Sequence, residues 1–383
     1  MSPKIPFNLP YLSGREKEYV VDAIQSREHC GNRTYSQKCI QKLEADFQFQ
    51  KVFLTTSCTT AMEMGAILAN LKPGDEVIMP SYTFSSTGNA VLLQGASPVF
   101  AEIEPNTMNL DVNKIESLIS PRTKMILPID YAGIPCEIDK IMEIANRHDL
   151  LVMQDAAQSF HSSHNEKPCG SVAHLAAFSF HESKNISCGE GGALVVNRPE
   201  WNERASFIQE KGTDRSLVLK GIKNKYNWVE KGSSFLLSDI LAAMLLAQLE
   251  AAETIMNLRS KVTEAYLKLL RPHSNKGLIR ILNPSSHAKL NHHAFFVIFN
   301  TEKHKEYFLT HLLGKNIHAY IGYLPLHSSP IGKKLGYKPD DLPITEDLAS
   351  RIVRLPFYTN LSSQGLDYCL NGIQSALKKI QYL

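Results

Sequence analysis

A chain of 383 residues is long enough for a large domain with its own core and a smaller second one. Its 41 lysines and arginines against 38 acids leave a formal charge of +3; with no long basic run, this argues against a nucleic-acid surface and leaves a small anionic ligand open. The seven cysteines (Cys30, Cys39, Cys58, Cys136, Cys169, Cys188 and Cys369) are odd in number and lack a C-x-x-C pair, so neither a disulfide framework nor a zinc knuckle is expected, and a reducing cytoplasm fits best.

In chain order, the opening "MSPKIPFNLPYLSG" has prolines where a signal peptide would need an apolar core, so no export signal is expected. From about residue 50 to 200, short apolar runs alternate with helical patterns. The runs "KVFLT", "DEVIMP", "SPVFAEI", "TKMILPIDY", "LLVMQDA", "LAAFSF" and "GALVVN" predict strands, with helical periodicity in "AMEMGAILANL" and "EIDKIMEIANRH". Such runs separated by helices predict an α/β domain with a mostly parallel sheet covered on both faces. The stretch Phe235 to Ala252 is the most apolar, but Ser238 and Asp239 interrupt it, so it predicts a buried helix capped by Ser238 and no membrane span. Beyond it, "HAFFVIF" and "NIHAYIGY" predict short strands before a helical C-terminus. We divide the chain into a large domain, residues 1–254 including the N-terminal segment, and a smaller α+β domain, residues 255–383, against which the first forty or so residues can pack.

Open α/β sheets bind ligands beyond the carboxyl ends of their strands, so polar residues there carry the argument. Asp155 ends "LLVMQD", and Gln158 follows three residues on. Taken alone, a helix cap or turn aspartate is the better account of Asp155. Ser179 and Lys184 stand after another strand, and "TTSCTTA" (Thr55 to Ala61) lies between a strand and a helix, where helix-terminal N–H groups can hold a phosphate. Together they match one ligand's demands: an amine for a Schiff base, a carboxylate to keep a ring nitrogen protonated, a phosphate anchor and an aromatic face. Pyridoxal 5'-phosphate makes those demands. A partly desolvated Lys184 has the neutral fraction that attack requires, and "GEGG" after it lets backbone pass close by.

These residues make the chain similar to the DegT/DnrJ/EryC1/StrS sugar aminotransferase family. "TTSCTTAMEM", "KPGDEVIMPSYTFSSTGNAV", "YAGIPCEID", "QDAAQS", "FSFHESKN", "GEGGALVVN", "GSSFLLSDILAAMLLAQLE" and "YLPLHSSP" fall in family order over nearly the whole length. The resemblance implies the type I aspartate-aminotransferase fold, with a large mostly parallel mixed sheet flanked by helices. It implies that Lys184 is the catalytic lysine, Asp155 pairs with the pyridine nitrogen, Gln158 approaches the ring hydroxyl and Phe84 stacks on the ring. Ser179, Thr59 and the backbone around Cys58 are then expected to hold the phosphate. In the family the segment matching "GSSFLLSD" reaches the site of a neighbouring subunit, so the resemblance implies a homodimer with shared sites, in which this contact is weaker, made by Ser234, or made elsewhere. The chain departs from the family pattern at Gly232-Ser233-Ser234, at Asp130 before Tyr131, and at Lys211-Gly212.

The combination "SFHESKN", "KGTDRS", "KYNW", "GSSF" and "LAQLEAA" is similar to transaminases that convert TDP-4-keto-6-deoxyglucose to TDP-4-amino-4,6-dideoxygalactose with L-glutamate for surface polysaccharides. A sister activity giving the 4-amino-glucose epimer or a 3-amino sugar, and a non-catalytic cofactor-binding regulator, stay open; a dehydratase is disfavoured because related deoxygenating enzymes replace the lysine with histidine. Lys211 and Arg215, in a stretch shared with Lys220, Lys223 and Lys225, are candidates to attract a nucleotide diphosphate or a glutamate carboxylate, although a solvated loop explains them as well. His181, Tyr323 and His327 are further substrate-side candidates. His161, His164, His292 and His293 lack a carboxylate cluster, so no metal site is expected.

Overall fold

Seven short apolar runs, too short for helices and largely buried, form the central sheet of the computed structural model, which describes residues 3–382. They are β1 (Val52–Thr55), β2 (Glu76–Pro80), β3 (Ser97–Ala101), β4 (Thr123–Ile126), β5 (Leu151–Asp155), β6 (Leu175–Ser179) and β7 (Gly192–Val196). Each is one of the runs read from the sequence. Their spatial order is β1-β7-β6-β5-β4-β2-β3. All pairings are parallel except those of β7, which runs antiparallel to β1 and β6. The reason is the polar turn 180–191, which joins β6 to β7 as a hairpin where a parallel neighbour would need a helical crossover.

Alternation along the strands divides the core in two. Ala193 and Val195 of β7 pack in one apolar cluster and Leu194 and Val196 in another on the opposite face, and the same holds for Ala176 and Phe178 against Leu175 and Ala177 in β6. Helices α1 (Glu16–Gln25) and α2 (Thr34–Phe47) cover the first face. The second face is covered by α3 (Cys58–Leu68), α4 (Ser85–Leu92) and, beyond α5 (Ile138–Arg147), α6 (Asn202–Gln209). The apolar stretch after residue 235 is helix α7 (Asp239–Glu250), whose N-cap Ser238 accepts from the N–H of Leu241. Its first residue also serves a neighbouring helix. The Asp239 carboxylate accepts from the N–H groups of Tyr35 and Ser36 and from the Ser36 hydroxyl at 2.6–2.9 Å, capping α2.

The long helix α8 (Ala252–Asn275) leads to a four-stranded antiparallel sheet of β8 (Ile279–Ile281), β9 (Phe296–Phe299), β10 (Tyr320–Ile321) and β11 (Ile352–Arg354), in the order β8-β9-β11-β10. Helices α9 (Glu302–Leu313) and α10 (Ser363–Ile380) complete its core. The expected packing of the first forty residues on this unit needs correction. Among the described residues of this segment, those around Ile5, bridged to Ile317, reach its core, because the apolar sides of α1 and α2 are taken up by α7. No described helix is long and apolar enough to cross a membrane.

Candidate active site

The carboxyl ends of β1, β5 and β6 open onto one cavity of about 320 Å3, and the small sheet closes its far side. At the end of β1, Ser57 caps α3 by accepting from the N–H of Thr60, while the Thr60 hydroxyl accepts from the N–H of Ser57. The next N–H groups, on Cys58 and Thr59, have no acceptor within the helix and are free for an anion. Thr59 Oγ1 lies 2.7 Å from Ser86 Oγ, so both hydroxyls stand at the same end of the cavity. Gly192 explains the last glycine of "GEGG": a Cβ there would collide with the backbone of Ser57 and Cys58, so β7 lies flush against the start of α3. Gly189 has φ +88, the left-handed conformation that lets the hairpin turn back.

Asp155, 5% exposed, ends β5. It accepts from the Thr87 hydroxyl at 2.9 Å and from the N–H of Ala157 at 3.1 Å. Burial nonetheless pushes its carboxyl above the usual range, despite these donors and the nearby Lys184. Lys184 sits in the hairpin, with its N–H donating to the carbonyl of His181. Its side chain borders the open cavity and so keeps some accessible surface, yet burial of the ammonium pushes its pKa below the ordinary lysine value. Gln158 is fixed at both ends: Oε1 accepts from the N–H of Ala132 at 2.8 Å and Nε2 donates to the Tyr323 hydroxyl at 3.1 Å. Phe84 stands at the mouth, 57% exposed, with its ring 6.0 Å from that of Tyr323. His181 also borders the cavity; its Nδ1 lies 2.9 Å from Ser183 Oγ.

One wall residue was not foreseen. Arg354, the last residue of β11, reaches the cavity from the small sheet, with its guanidinium over the rings of Phe7 and Phe296. Among the described residues it pairs with no carboxylate, and its buried Nε has no hydrogen-bond partner. Its only sequence signal is a charged residue closing the apolar run "RIVRLP". Thr87, which holds Asp155, was likewise missed.

Other expected residues lie elsewhere. His327 is fully buried away from the cavity, bonded to Ser81 Oγ at 2.6 Å and facing Glu346 at 3.3 Å, so its ring ties internal segments together and cannot meet a substrate in this chain's cavity. Arg215 pairs with Glu210 at 2.7 Å, and Lys211 lies 3.6 Å from the same carboxylate. Both lie on an excursion outside the cavity, as does exposed Ser234. Asp130 is fully buried and takes three donors, the Ser159 hydroxyl at 2.5 Å, the Gln154 amide at 2.8 Å and the N–H of Cys136 at 2.8 Å; it pins a turn and faces no ligand. Among the described residues no cluster of His, Cys, Asp or Glu could hold a metal ion. A larger groove of about 640 Å3 between α8 and β8 contains neither a lysine nor a carboxylate.

The cavity therefore offers an anion cradle at one end, a carboxylate short of partners in its depth, an amine of lowered basicity, and an unpaired guanidinium on the opposite wall. A ligand with a phosphate, a basic ring nitrogen and a carbonyl satisfies the first three, and the fit rests on the under-partnered Asp155 and the free N–H groups of α3.

A family model described as "DegT/DnrJ/EryC1/StrS aminotransferase family" matches residues 10–374. The GDP-perosamine synthase of Escherichia coli O157:H7 is 28% identical, over 96% of this chain and 97% of that one. Among solved structures, DesV of S. venezuelae superposes with a TM-score of 0.88 at 25% identity, covering 98% of this chain and 99% of that one. NtdA of Bacillus subtilis, solved with bound PMP cofactor, gives 0.85 at 26% identity, covering 98% and 85%.

Proposed function

The chain belongs to the DegT/DnrJ/EryC1/StrS aminotransferase family, and from that premise we propose that it transfers the amino group of L-glutamate to C4 of TDP-4-keto-6-deoxy-D-glucose, giving TDP-4-amino-4,6-dideoxy-D-galactose. The coarser activity is that of a pyridoxal-phosphate-dependent sugar aminotransferase. The observation that carries the reading is the placing of Lys184 and Asp155 on one cavity whose far end is the N-terminus of α3.

When bound, pyridoxal phosphate supplies the carbonyl that takes the amine and the ring that accepts an electron pair from the substrate carbon. In this reading the residues act as follows. The N–H groups of Cys58 and Thr59, with the hydroxyls of Thr59 and Ser179, hold the phosphate. Asp155, whose buried carboxyl has no salt-bridge partner among the described residues, would face the ring nitrogen and favour its protonated form. Phe84 covers the ring at the mouth, and Gln158, locked by Ala132 and Tyr323, presents its amide to the ring hydroxyl. Lys184 would hold the cofactor's carbonyl end, and its lowered basicity would suit it to move the proton at the amine-bearing carbon. Arg354 would anchor a carboxylate of glutamate, since it is a guanidinium on the cavity wall that pairs with no carboxylate among the described residues. Two copies share their sites through residues 210–234, with Lys211, Arg215 and Ser234 acting across the interface; exposed Leu219, Ile222 and Trp228 on that excursion support the contact. The seven unpaired cysteines support a cytoplasmic setting.

The nucleotide is the point on which a second reading stands, because a relative named GDP-perosamine synthase aligns over nearly the full chain. The test is to give the cofactor-loaded protein L-glutamate with TDP- or GDP-linked 4-keto-6-deoxyhexoses and to identify the product by mass spectrometry and NMR. An axial 4-amine on the TDP sugar is the expected result. Turnover of the GDP sugar alone would move the acceptor to the second reading. An equatorial 4-amine or a 3-amine would contradict the assigned product. No amino sugar despite conversion of glutamate to 2-oxoglutarate would reject both acceptors.

A further inference from the structure

Residues 291–293 of the small domain lie against both turns that carry the active-site side chains. Asn185, which follows Lys184 directly and is 4% exposed, donates from Nδ2 to the carbonyl of Asn291 at 2.7 Å. Its Oδ1 lies 3.0 Å from Nδ1 of His293, itself buried. With Nδ2 committed to a carbonyl, Oδ1 must be the acceptor, so His293 carries its hydrogen on Nδ1. Burial beside Lys184 and Arg259 pushes His293 well below the ordinary imidazole range, leaving it the neutral Nδ1–H form. On the other side, Asn291 donates from its own Nδ2 to the carbonyls of Gln158 and Phe160, both at 2.8 Å.

The segment is in turn held by helix α8. The buried Arg259 guanidinium donates to the carbonyls of His292 at 2.8 Å and His293 at 2.6 Å, and stacks over Phe357 at 4.7 Å. This cation serves two backbone carbonyls. His292, between Asn291 and His293, has φ +53, a left-handed conformation that costs a side-chain-bearing residue. In that strained geometry both carbonyls face one guanidinium while Asn291 and His293 reach two different turns.

We propose that Asn185, Asn291 and His293 form a positioning clamp that fixes the Lys184 turn relative to the Asp155–Gln158 wall. The proposal rests on the reading of Lys184 as the catalytic lysine. It differs from a merely fold-stabilising network because the clamp joins the residue next to the amine to the loop that carries Gln158, so loosening it displaces the amine from the carbon it serves.

The variants are Asn185→Ala, His293→Phe and His293→Asn, the last placing an amide N–H near the position of Nδ1–H. Each is loaded with pyridoxal phosphate and read three ways: the pH midpoint of the cofactor's visible absorbance change, kcat and KM for the glutamate half-reaction, and the melting temperature without cofactor. The clamp predicts a shifted absorbance midpoint and a kcat lowered on the order of 10²-fold in Asn185→Ala and His293→Phe. It also predicts an unchanged KM for glutamate and recovery of both signals in His293→Asn. A wild-type midpoint and kcat in a folded Asn185→Ala protein would overturn it, as would a lowered cofactor-free melting temperature with no other change. Lys184→Ala separates the two levels: full turnover there overturns the parent reading and the clamp together, whereas a dead Lys184→Ala beside unaffected clamp variants overturns the clamp alone.

Discussion

Asp130 and Asp155 are two buried carboxylates on neighbouring segments, joined by a hydrogen bond from the N–H of Asp130 to the carbonyl of Asp155 at 3.1 Å. Burial raises the pKa of both. Their surroundings differ. Asp130 is closed in by three donors from its own fold, whereas Asp155 has two and an open side on the cavity. A buried charge with a full set of partners specifies structure; one left short of partners is waiting for a ligand. The same contrast separates Arg259, whose guanidinium is taken up by two backbone carbonyls, from Arg354, whose Nε has no partner among the described residues.

Four substitutions sharpen this comparison. Lys184→Ala has the largest expected effect, a loss of transamination of about 10⁴-fold, measured with saturating glutamate and cofactor. Asp155→Asn keeps the shape of the deep wall but removes the anion opposite the ring nitrogen, so kcat falls by about 10²-fold or more in a protein that still folds. Arg354→Gln raises KM for glutamate by about 10-fold to 100-fold, the worth of a charge-assisted hydrogen bond of about 1.5–3 kcal/mol, and leaves KM for the sugar nucleotide unchanged. Asp130→Asn inverts the pattern: denaturant unfolding shows a loss of roughly 1–3 kcal/mol, while the folded protein keeps its kcat. A catalytic defect in Asp130→Asn equal to that of Asp155→Asn would erase the distinction.

The smallest effect is in the pH dependence of the cofactor-free protein. Lys184 has a folded pKa below its ordinary value of 10.5, so over that window the unfolded chain binds the proton more tightly and stability climbs as pH rises through it. Asp155 has a folded pKa above 3.8, so the folded chain binds the proton more tightly and stability falls as pH rises through that window. Melting curves of Lys184→Met should lose the alkaline climb, and those of Asp155→Asn should lose the acid-side fall.

The large sheet was legible because its strands are continuous apolar runs, and Asp155, Ser179 and Lys184 because polar residues stand where those runs end. The small sheet was less so: β8 and β11 are three residues each, below the length at which a pattern shows, and β10 keeps only Tyr320–Ile321 of a longer candidate run. Arg354 was lost with β11. His327 misled: expected on the substrate side, it is instead buried against Ser81 and Glu346, contacts between segments far apart in the sequence. The Asn185–His293 contact joins residues 108 positions apart, a pairing that only the folded chain brings together.

In the proposed function Lys184, which lines one cavity with Asp155, is the residue that carries the cofactor. Reconstitution with pyridoxal phosphate, reduction with borohydride and peptide mapping by mass spectrometry test it directly. The account predicts the pyridoxyl mass on Lys184, in the peptide that continues into "NISCGEGG", and its loss in Lys184→Ala. A label found on another lysine in the wild-type protein, or retained in Lys184→Ala, would contradict it.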